Sequence, residues 1–368
     1  MKAYLILANG LVMEGKSIGA AGTTLGEVVF ATGMEGYQEA LTDPSFLGQL
    51  ITQTYPLVGN YGINSEDFES DKIWCQGYIV RECCKVPSNF RCEKTLDEFL
   101  KEHNTVGIEG VDTRRLTRLL RESGVMNGAI TTEVDPADEA AMAELMEKIK
   151  GFTIENAVET VCCKEPYVVN PEGELHVALM DYGCKTNIIR CLAKRGCKVT
   201  VMPAASTPEQ VMALDPDGLM LTNGPGDPAD NVHIIANIRT MLDTGIPTFG
   251  ICLGHQLTAL AAGATTSKMK YGHRGGNQPV TDFALDRTFI TSQNHGYAVD
   301  GSSLPPEVGH VSHVNANDGT CEGMEYTKWN CFTVQFHPEA CSGPKDVEFL
   351  FDRFVDRIKK SKEAKGNA

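Results

Sequence analysis

The second half of the chain alternates short apolar runs with amphipathic segments, and this alternation constrains the fold more than any other feature. From His176 onward, predicted strands and helices alternate at 177–180, 186–195, 198–202, 208–214, 218–222, 232–242 and 246–251. Repeated strand–helix–strand units of this length build a parallel sheet with helices on both faces. We therefore predict an α/β domain whose working residues lie on loops at the carboxyl ends of strands.

The first half has a different pattern, with short apolar runs interrupted by Gly, Asn and Pro. The Asn9-Gly10 pair between the apolar runs 4–7 and 11–13 predicts a tight hairpin. Capping residues and apolar spacing predict three helices, at 95–103, 112–122 and 137–150. We predict a β-rich α+β domain that precedes the parallel-sheet domain.

Few periodic apolar residues stand between the two halves. This stretch contains Pro166, Pro171 and Gly173, which interrupt regular structure. We predict a linker at 162–175, which separates an N-terminal domain at 1–161 from the α/β domain at 176–368.

Net charge and cysteine content indicate which partners this chain can bind and in which cell compartment it works. Lys and Arg number 33 against 48 Asp and Glu, a net charge of -15 that repels nucleic acid and anionic lipid. No apolar stretch approaches the roughly 20 residues of a membrane-spanning helix. Thirteen cysteines without a C-x-x-C spacing favour free thiols over disulfides or a zinc clip. We expect no nucleic-acid or membrane partner and, without a signal-peptide core at the N-terminus, a cytoplasmic location.

A cysteine flanked by glycines follows the last of these predicted strands. Gly250, Cys252 and Gly254 form a G-x-C-x-G pattern between a buried strand and a helical apolar run. A sharp strand-to-helix turn needs small flanking residues and presents its central side chain above the sheet. The helix N-terminus there stabilises a thiolate, and the Leu253 N–H is placed to hold an oxyanion. Taken alone, the pattern fits a buried structural cysteine equally well.

A histidine with a neighbouring acid lies later in the chain. His337 follows a predicted strand at 331–334, and Glu339 shares its face two residues on. A carboxylate bonded to one imidazole nitrogen fixes the tautomer and leaves the other nitrogen for the thiol. We therefore predict Cys252, His337 and Glu339 as a catalytic triad. His255 is a rival base, but its neighbours supply no orienting carboxylate, and we expect it to pack in the core.

Three other segments carry polar groups. His273 and His295 lie in glycine-rich stretches, and we predict no metal site because no carboxylate or thiolate ligand set is spaced around them. The 223–228 loop, Asn-Gly-Pro-Gly-Asp-Pro, follows a strand and offers backbone N–H groups to an anion. In isolation an ordinary Gly/Pro turn explains that loop better. The segment 292–297 offers amide and aromatic groups to a polar substrate.

Together these motifs resemble the three signatures of class I, triad-type glutamine amidotransferases, in the same order within one α/β domain. One branch, the small glutaminase subunits of carbamoyl phosphate synthetases, is similar over nearly the whole chain. The segments that carry this resemblance are 33–45, 54–62, 112–117, 223–228, 250–256, 268–273, 292–299 and 337–339. Small departures are Thr222, where serine often precedes the loop, and Tyr297, where phenylalanine is frequent.

The resemblance implies a mechanism. The Cys252 thiolate would attack the side-chain carboxamide of L-glutamine, with His337 moving the proton and Glu339 orienting it. The N–H groups of Leu253 and Gly226 would hold the oxyanion, and a glutamyl thioester would form as ammonia leaves. The other substrate-binding residues that it implies are Ser45, Gly224, Gln256, Asn294, Gly296 and Tyr297.

The resemblance also implies a partner, a large subunit that uses ATP and Mg and makes carbamoyl phosphate for pyrimidine and arginine synthesis. The two chains would form a heterodimer or a higher oligomer, and we expect no cofactor or nucleotide on this chain. Two other hypotheses are a stand-alone cysteine hydrolase, which leaves the first half unexplained, and a non-catalytic binding subunit, which would lack a triad residue.

Overall fold

The structure, a computed structural model, describes residues 1–340 and 342–366, and its contacts divide the chain into two units, 1–155 and 156–368. The predicted linker, 162–175, lies inside the second unit. It contains a short strand, Tyr167–Val169, that pairs antiparallel with the strand Cys197–Pro203. Backbone pairing therefore makes part of this Pro-containing stretch an edge of the sheet.

The first unit is built around a closed barrel of strands in the order β1-β2-β8-β6-β4-β3-β9. Its strands are β1 Lys2–Leu7, β2 Val12–Gly19, β3 Thr23–Ala31, β4 Gln49–Gln53, β5 Leu57–Val58, β6 Gly77–Ile79, β7 Glu82–Cys83, β8 Val106–Glu109 and β9 Met126–Thr131. Its helices are α1 Tyr37–Thr42, α2 Leu96–Glu102, α3 Thr113–Ser123 and α4 Glu139–Lys150, with a 3-10 turn at Pro44–Phe46.

The sequence signals of this unit act locally. The Asn9-Gly10 pair turns β1 into β2, and Gly10 adopts a φ of 86° that a glycine accepts without strain. Thr95 caps α2 with a full capping box, and Asp112 caps α3. The predicted β-rich domain with three such helices is confirmed.

Residues 10–17, GLVMEGKS, match the G-x-x-x-x-G-K-[ST] spacing of a nucleotide-binding loop. In the structure they form a hairpin turn and most of β2, whose residues pair with β1 and β8. A phosphate-binding loop instead connects a strand to a helix and leaves its N–H groups free for the phosphate. This segment therefore lacks the geometry of a nucleotide site.

The second unit alternates strands and helices as the sequence predicts. Its strands are β10 Tyr167–Val169, β11 Leu175–Asp181, β12 Cys197–Pro203, β13 Gly218–Leu221, β14 Thr248–Ile251, β15 Thr265–Asp282, β16 Arg287–Asp300, β17 His310–Asn315, β18 Cys321–Tyr326 and β19 Cys331–Val334. Its helices are α5 Ala157–Val161, α6 Thr186–Lys194, α7 Pro208–Met212, α8 Val232–Leu242, α9 Leu253–Ala261 and α10 Phe349–Gly366, with 3-10 turns at Pro228–Asp230 and Gly301–Ser303.

One ten-stranded sheet organises this unit, in the order β10-β12-β11-β13-β14-β19-β18-β17-β15-β16. The run from β12 to β19 is parallel, which confirms the predicted sheet, and β18, β17, β15 and β16 extend it with antiparallel pairs. Each face has its own core: Ile238 and Leu257 lie in one, Ile188 and Phe354 in the other. The carboxyl ends of β11, β13, β14 and β19 therefore meet at one edge.

Across residues 1–340 and 342–366, the helices are too short or too polar for any of them to cross a lipid bilayer.

Candidate active site

Cys252 occupies a sharp turn between β14 and α9. Its backbone has φ 54° and ψ -102°, a conformation that few non-glycine residues adopt. The Cys252 N–H donates to Val334 O at 2.9 Å, which ties the turn to the end of β19. The side chain is 2% exposed, and its thiol donates to Asn294 O at 3.6 Å. The G-x-C-x-G pattern thus forms the predicted elbow.

The two flanking glycines are sterically required. A Cβ on Gly254 would lie 2.4 Å from Leu221 O, and one on Gly250 would lie 2.9 Å from Thr333 Cγ2. Both distances are closer than real side chains approach, so a larger residue would separate α9 from the neighbouring strands. The glycines therefore let the helix start directly on the sheet edge, beneath the thiol.

His337 and Glu339 follow the adjacent strand. The His337 N–H donates to Ser292 O at 2.9 Å, and its ring Nδ1 lies 2.7 Å from Glu339 Oε1. A carboxylate oxygen accepts, so this contact places the proton on Nδ1. His337 Nε2 is buried and has no hydrogen-bond partner in the described part of the chain. That nitrogen is therefore available as a base at the edge where Cys252 also lies.

A buried lysine completes this acid–base chain. Lys185 caps the N-terminus of α6, and its Nζ lies 2.8 Å from Glu339 Oε1. Burial would raise the pKa of the Glu339 carboxyl, but the Lys185 ammonium and the His337 ring outweigh it and hold that pKa well below its usual range. Glu339 is thus held as a carboxylate. The sequence analysis missed Lys185, although its position just after β11 marks the functional edge of the sheet.

The 223–228 loop lies beside this lysine. Asn223 is fully buried; its Oδ1 accepts from the Lys185 N–H at 3.1 Å, and its Nδ2 donates to Gly183 O at 2.8 Å. A Cβ on Gly224 would lie 2.1 Å from Tyr182 O, and Gly226 has a φ of 92°. The loop is therefore a fixed element that also positions Lys185, rather than a simple surface turn.

Strand β16 brings the 294–297 segment to the elbow. The Asn294 carbonyl contacts the Cys252 thiol, whereas Gly296 and Tyr297 follow on the same strand, partly exposed. Gln256 lies on α9 and donates to Tyr297 O at 2.9 Å and to Gln335 Oε1 at 3.0 Å. Leu253 begins α9 next to Cys252. Of these predicted residues, Asn294 contacts the thiol through its carbonyl, and Leu253 and Gln256 lie on the helix that starts at Cys252.

Ser45 belongs to the other unit. It lies on the 3-10 turn Pro44–Phe46, where it is 8% exposed and its N–H donates to Asp43 Oδ1 at 2.9 Å. Its predicted contact with the substrate remains a prediction.

His255 is held in the core as a neutral ring. It is fully buried, and its Nδ1 contacts Thr333 Oγ1 at 2.8 Å. Burial, and to a lesser extent the nearby His313, lower the pKa of His255 to about 3. These contacts agree with the packing role that we expect for it.

His273 and His295 have a carboxylate neighbour that the spacing of the chain conceals. They are cross-strand partners on β15 and β16, and Glu322 of β18 lies 3.3 Å from His273 Nδ1. All three side chains are buried. The sheet, rather than proximity in sequence, supplies the acidic residue.

Comparison with known proteins matches both halves of the chain. Residues 5–130 match the family described as carbamoyl-phosphate synthase small chain, CPSase domain, and residues 178–357 match class I glutamine amidotransferases. Carbamoyl phosphate synthase small chains from Clostridium perfringens and Archaeoglobus fulgidus are each 49% identical, over 96% and 98% of this chain and 99% of each relative. That from Syntrophotalea carbinolica is 48% identical over the full length of both. The chain belongs to the carbamoyl-phosphate synthase small chain family.

Membership of the carbamoyl-phosphate synthase small chain family accounts for both units. The barrel unit, which a stand-alone hydrolase leaves unexplained, contains the family's own domain at 5–130. The ten-stranded unit contains the class I glutamine amidotransferase match. The resemblance found from the sequence, and the fold class predicted with it, are confirmed.

Proposed function

We propose that this chain is the glutaminase component of a carbamoyl phosphate synthase, hydrolysing L-glutamine to glutamate and ammonia. The observation that carries the proposal is the buried chain Lys185–Glu339–His337. It ends at the sheet edge of the Cys252 elbow in an imidazole nitrogen that has no hydrogen-bond partner among residues 1–340 and 342–366. This arrangement supports an activated thiol. The family of the chain supports glutamine as its substrate.

The residues divide the reaction into two half-reactions. His337 Nε2 takes the thiol proton, and Cys252 Sγ attacks the carboxamide carbon of glutamine to give a tetrahedral oxyanion. The protonated His337 then gives its proton to the nitrogen as the C–N bond breaks, which leaves a glutamyl thioester and ammonia. Water activated by the same ring opens the thioester to glutamate and free thiol. Glu339 keeps its negative charge throughout and stabilises the imidazolium.

Backbone groups of two neighbouring turns are proposed to bind the oxyanion. Leu253 is the first residue of α9, and its N–H points from the positive end of the helix. Gly226 contributes a second N–H from a loop whose left-handed backbone conformation suits glycine. Within the ten-stranded unit, we assign the amino-acid end of glutamine to Gly224, Gln256, Asn294, Gly296 and Tyr297.

Ammonia is proposed to pass to a large partner chain that uses ATP and Mg to join it with bicarbonate. In neutral water most ammonia is protonated and cannot act as a nucleophile, so direct transfer preserves its reactivity. The relatives' description as small chains supports such a partner.

The test measures glutamate release by the purified chain, alone and with a carbamoyl phosphate synthase large chain, ATP and bicarbonate. We expect slow release alone, strong acceleration with the partner and no release from Cys252→Ser. Cys84→Ser, which changes a cysteine of the barrel unit, is the matched control and should keep full activity. Partner-independent activity would favour a stand-alone hydrolase, and no activity under any condition would favour a binding subunit.

The triad assignment also predicts which of two variants loses more activity. Both Cys252→Ser and Glu339→Gln should slow thioester formation. The fold loss in Glu339→Gln should be roughly 10 to 100 times smaller than that in Cys252→Ser, because orienting a base contributes less than supplying the nucleophile. Single-turnover trapping of the thioester measures both losses. Equal losses would contradict the assigned roles.

A further inference from the structure

Two histidines and one glutamate meet in the interior of the antiparallel part of the sheet. His273, His295 and Glu322 come from β15, β16 and β18 and are 7%, 4% and 0% exposed. One potential ligand atom from each lies within 4.8 Å of the other two. The proposed glutamine hydrolysis uses none of these side chains.

The outward nitrogen of each ring is already engaged by an acceptor. His273 Nε2 lies 2.9 Å from Asp318 Oδ2, and His295 Nδ1 lies 2.8 Å from Tyr297 O. Because a carboxylate and a carbonyl oxygen only accept, each of these nitrogens carries the proton of a neutral ring. When the rings are neutral, the inward nitrogens, His273 Nδ1 and His295 Nε2, present lone pairs.

The inward nitrogens face the acceptor oxygens of Glu322 and Gln293 and one amide donor, Asn315. Glu322 Oε1 lies 3.3 Å from His273 Nδ1 and 4.0 Å from His295 Nε2, and Gln293 Oε1 lies 3.1 Å from His295 Nε2. The Asn315 Nδ2 amide donates to Glu322 Oε1 at 3.3 Å and lies 3.5 Å from His273 Nδ1, so it offsets part of this acceptor charge. Glu322 Oε2 is buried without a hydrogen-bond partner among the described residues. This excess of acceptors suits a cation at their centre.

We propose that His273 Nδ1, His295 Nε2 and the Glu322 carboxylate bind one divalent cation of the Zn²⁺ type. Two imidazoles and a carboxylate form a common zinc ligand set, and a bond from the second ring nitrogen to a carboxylate or carbonyl is the usual outer support of such ligands. Ligand bonds of about 2.0–2.1 Å in a tetrahedral site place ligand atoms about 3.3 Å apart. The His273–Glu322 pair meets this spacing already, and the His295–Glu322 pair must close by roughly 0.7 Å.

The cation would join β15, β16 and β18 directly beneath the proposed glutamine pocket. His295 stands between Asn294 and Gly296, so a metal on its ring would fix the strand segment that contacts Cys252. With a water in its fourth position, the cation would hold the strands together, because the elbow and the His337 ring are proposed to supply the chemistry.

The test uses the full chain, freed of metal with a chelator, dialysed and then titrated with Zn²⁺ and with Co²⁺. We expect stoichiometric zinc by elemental analysis and visible d–d absorption of tetrahedral Co²⁺ without a thiolate charge-transfer band. Glu322→Gln keeps the shape of the side chain but removes its charge, and it should weaken binding by at least about 100-fold, since loss of outer-shell partners alone costs 10- to 100-fold.

His313→Asn is the matched control, because His313 is another buried histidine beside a carboxylate, 3.3 Å from Asp282, and lies outside the proposed ligand set. This variant should bind zinc as the unaltered chain does. Substoichiometric zinc at saturation, equal binding by Glu322→Gln, or a cobalt–thiolate band would overturn the proposal and leave protons as the charges that balance these acceptors. None of these readouts depends on glutaminase activity.

Discussion

At the scale of single residues, the proposed nucleophile, Cys252, is held in a conformation that it would not adopt alone. A non-glycine residue in such a sparsely populated backbone region costs of order 1–3 kcal/mol. Cys252 keeps a φ of 54° because its N–H is bonded to Val334 O and because Gly250 and Gly254 bring both flanking elements close. The surrounding sheet therefore offsets the strain and fixes the thiol above the sheet edge.

Lys185 provides a test of the positioning chain, because it touches Glu339 rather than the reacting atoms. Lys185→Met should destabilise the fold at neutral pH by about 3 kcal/mol, since it leaves a buried carboxylate with one partner fewer. The measurement is urea unfolding. Lys148→Met, which breaks an exposed pair with Glu144 at 2.7 Å, is the control and should cost at most about 1 kcal/mol.

The Lys185→Met variant should also change how stability and kcat/KM depend on pH, in a direction that the Glu339 pKa sets. The folded-state pKa of Glu339 is lowered, so its contribution to stability is present above the ordinary carboxyl pKa and is lost as the pH falls through the lowered one. Without Lys185 that pKa rises, so the stability difference should narrow in acid, and the acid limb of kcat/KM should move to higher pH. Lys185→Arg, which keeps the positive charge, should return the acid limb of kcat/KM to the pH of the unaltered chain. An unmoved acid limb would assign Lys185 a purely structural role.

The sequence predicts those site contacts whose two residues lie close together in the chain. The spacing of His337 and Glu339 predicts their contact, and the structure has it at 2.7 Å. Lys185 and Glu322 were not found, because each meets its partners across the sheet: Lys185 lies 154 positions before Glu339, and Glu322 follows His295 by 27. Such contacts depend on strand order, which local patterns do not encode.

At the scale of elements, the parallel strands were predictable and the antiparallel extension was not. Buried parallel strands such as β13 are continuous apolar runs bounded by helices, which gives a clear signal. Strands β15 and β16 are long and rich in polar residues and glycine, with register shifts between Lys268 and His273 and between Gly275 and Gln278. These irregularities interrupt the alternation by which a half-buried strand is recognised.

The contact between α9 and β13 should control the reactivity of Cys252. A methyl group on Gly254 would meet Leu221 O at 2.4 Å, so Gly254→Ala must move the helix or the strand. We expect a loss of about 1–3 kcal/mol in stability. Displacement of the thiol by about 1 Å should reduce kcat for glutamate release by about 100-fold. Urea unfolding and steady-state kinetics measure the two effects.

Gly276→Ala is the matched control for that substitution. Gly276 lies in β15 without a positive φ, and an added Cβ would meet its nearest neighbours at 3.6 Å or more. It should leave both stability and kcat nearly unchanged. A Gly254→Ala enzyme with unaltered kcat would mean that the elbow tolerates a shift of α9.

At the scale of the whole molecule, the apolar clusters of the barrel unit share no residue with those of the ten-stranded unit, within the described part of the chain. The barrel unit buries a cluster that includes Tyr78 and Phe99, and the ten-stranded unit buries one cluster on each face of its sheet. The two tryptophans of the chain are divided between the units: Trp74 bonds Ser70 in the first, and Trp329 bonds Asp243 in the second. Each unit therefore has its own fluorescent reporter of unfolding.

Variants with a single tryptophan should resolve two unfolding transitions. Trp74→Phe leaves Trp329 to report the larger unit, 156–368, and Trp329→Phe leaves Trp74 to report 1–155. The slope of unfolding free energy against urea scales with the surface exposed, so the Trp329 transition should have the larger slope. Far-ultraviolet circular dichroism of both variants should follow the sum of the two transitions. If both tryptophans instead report one midpoint and one slope that match the circular dichroism, the two units unfold as a single cooperative structure, because coincident probes are the mark of a two-state transition.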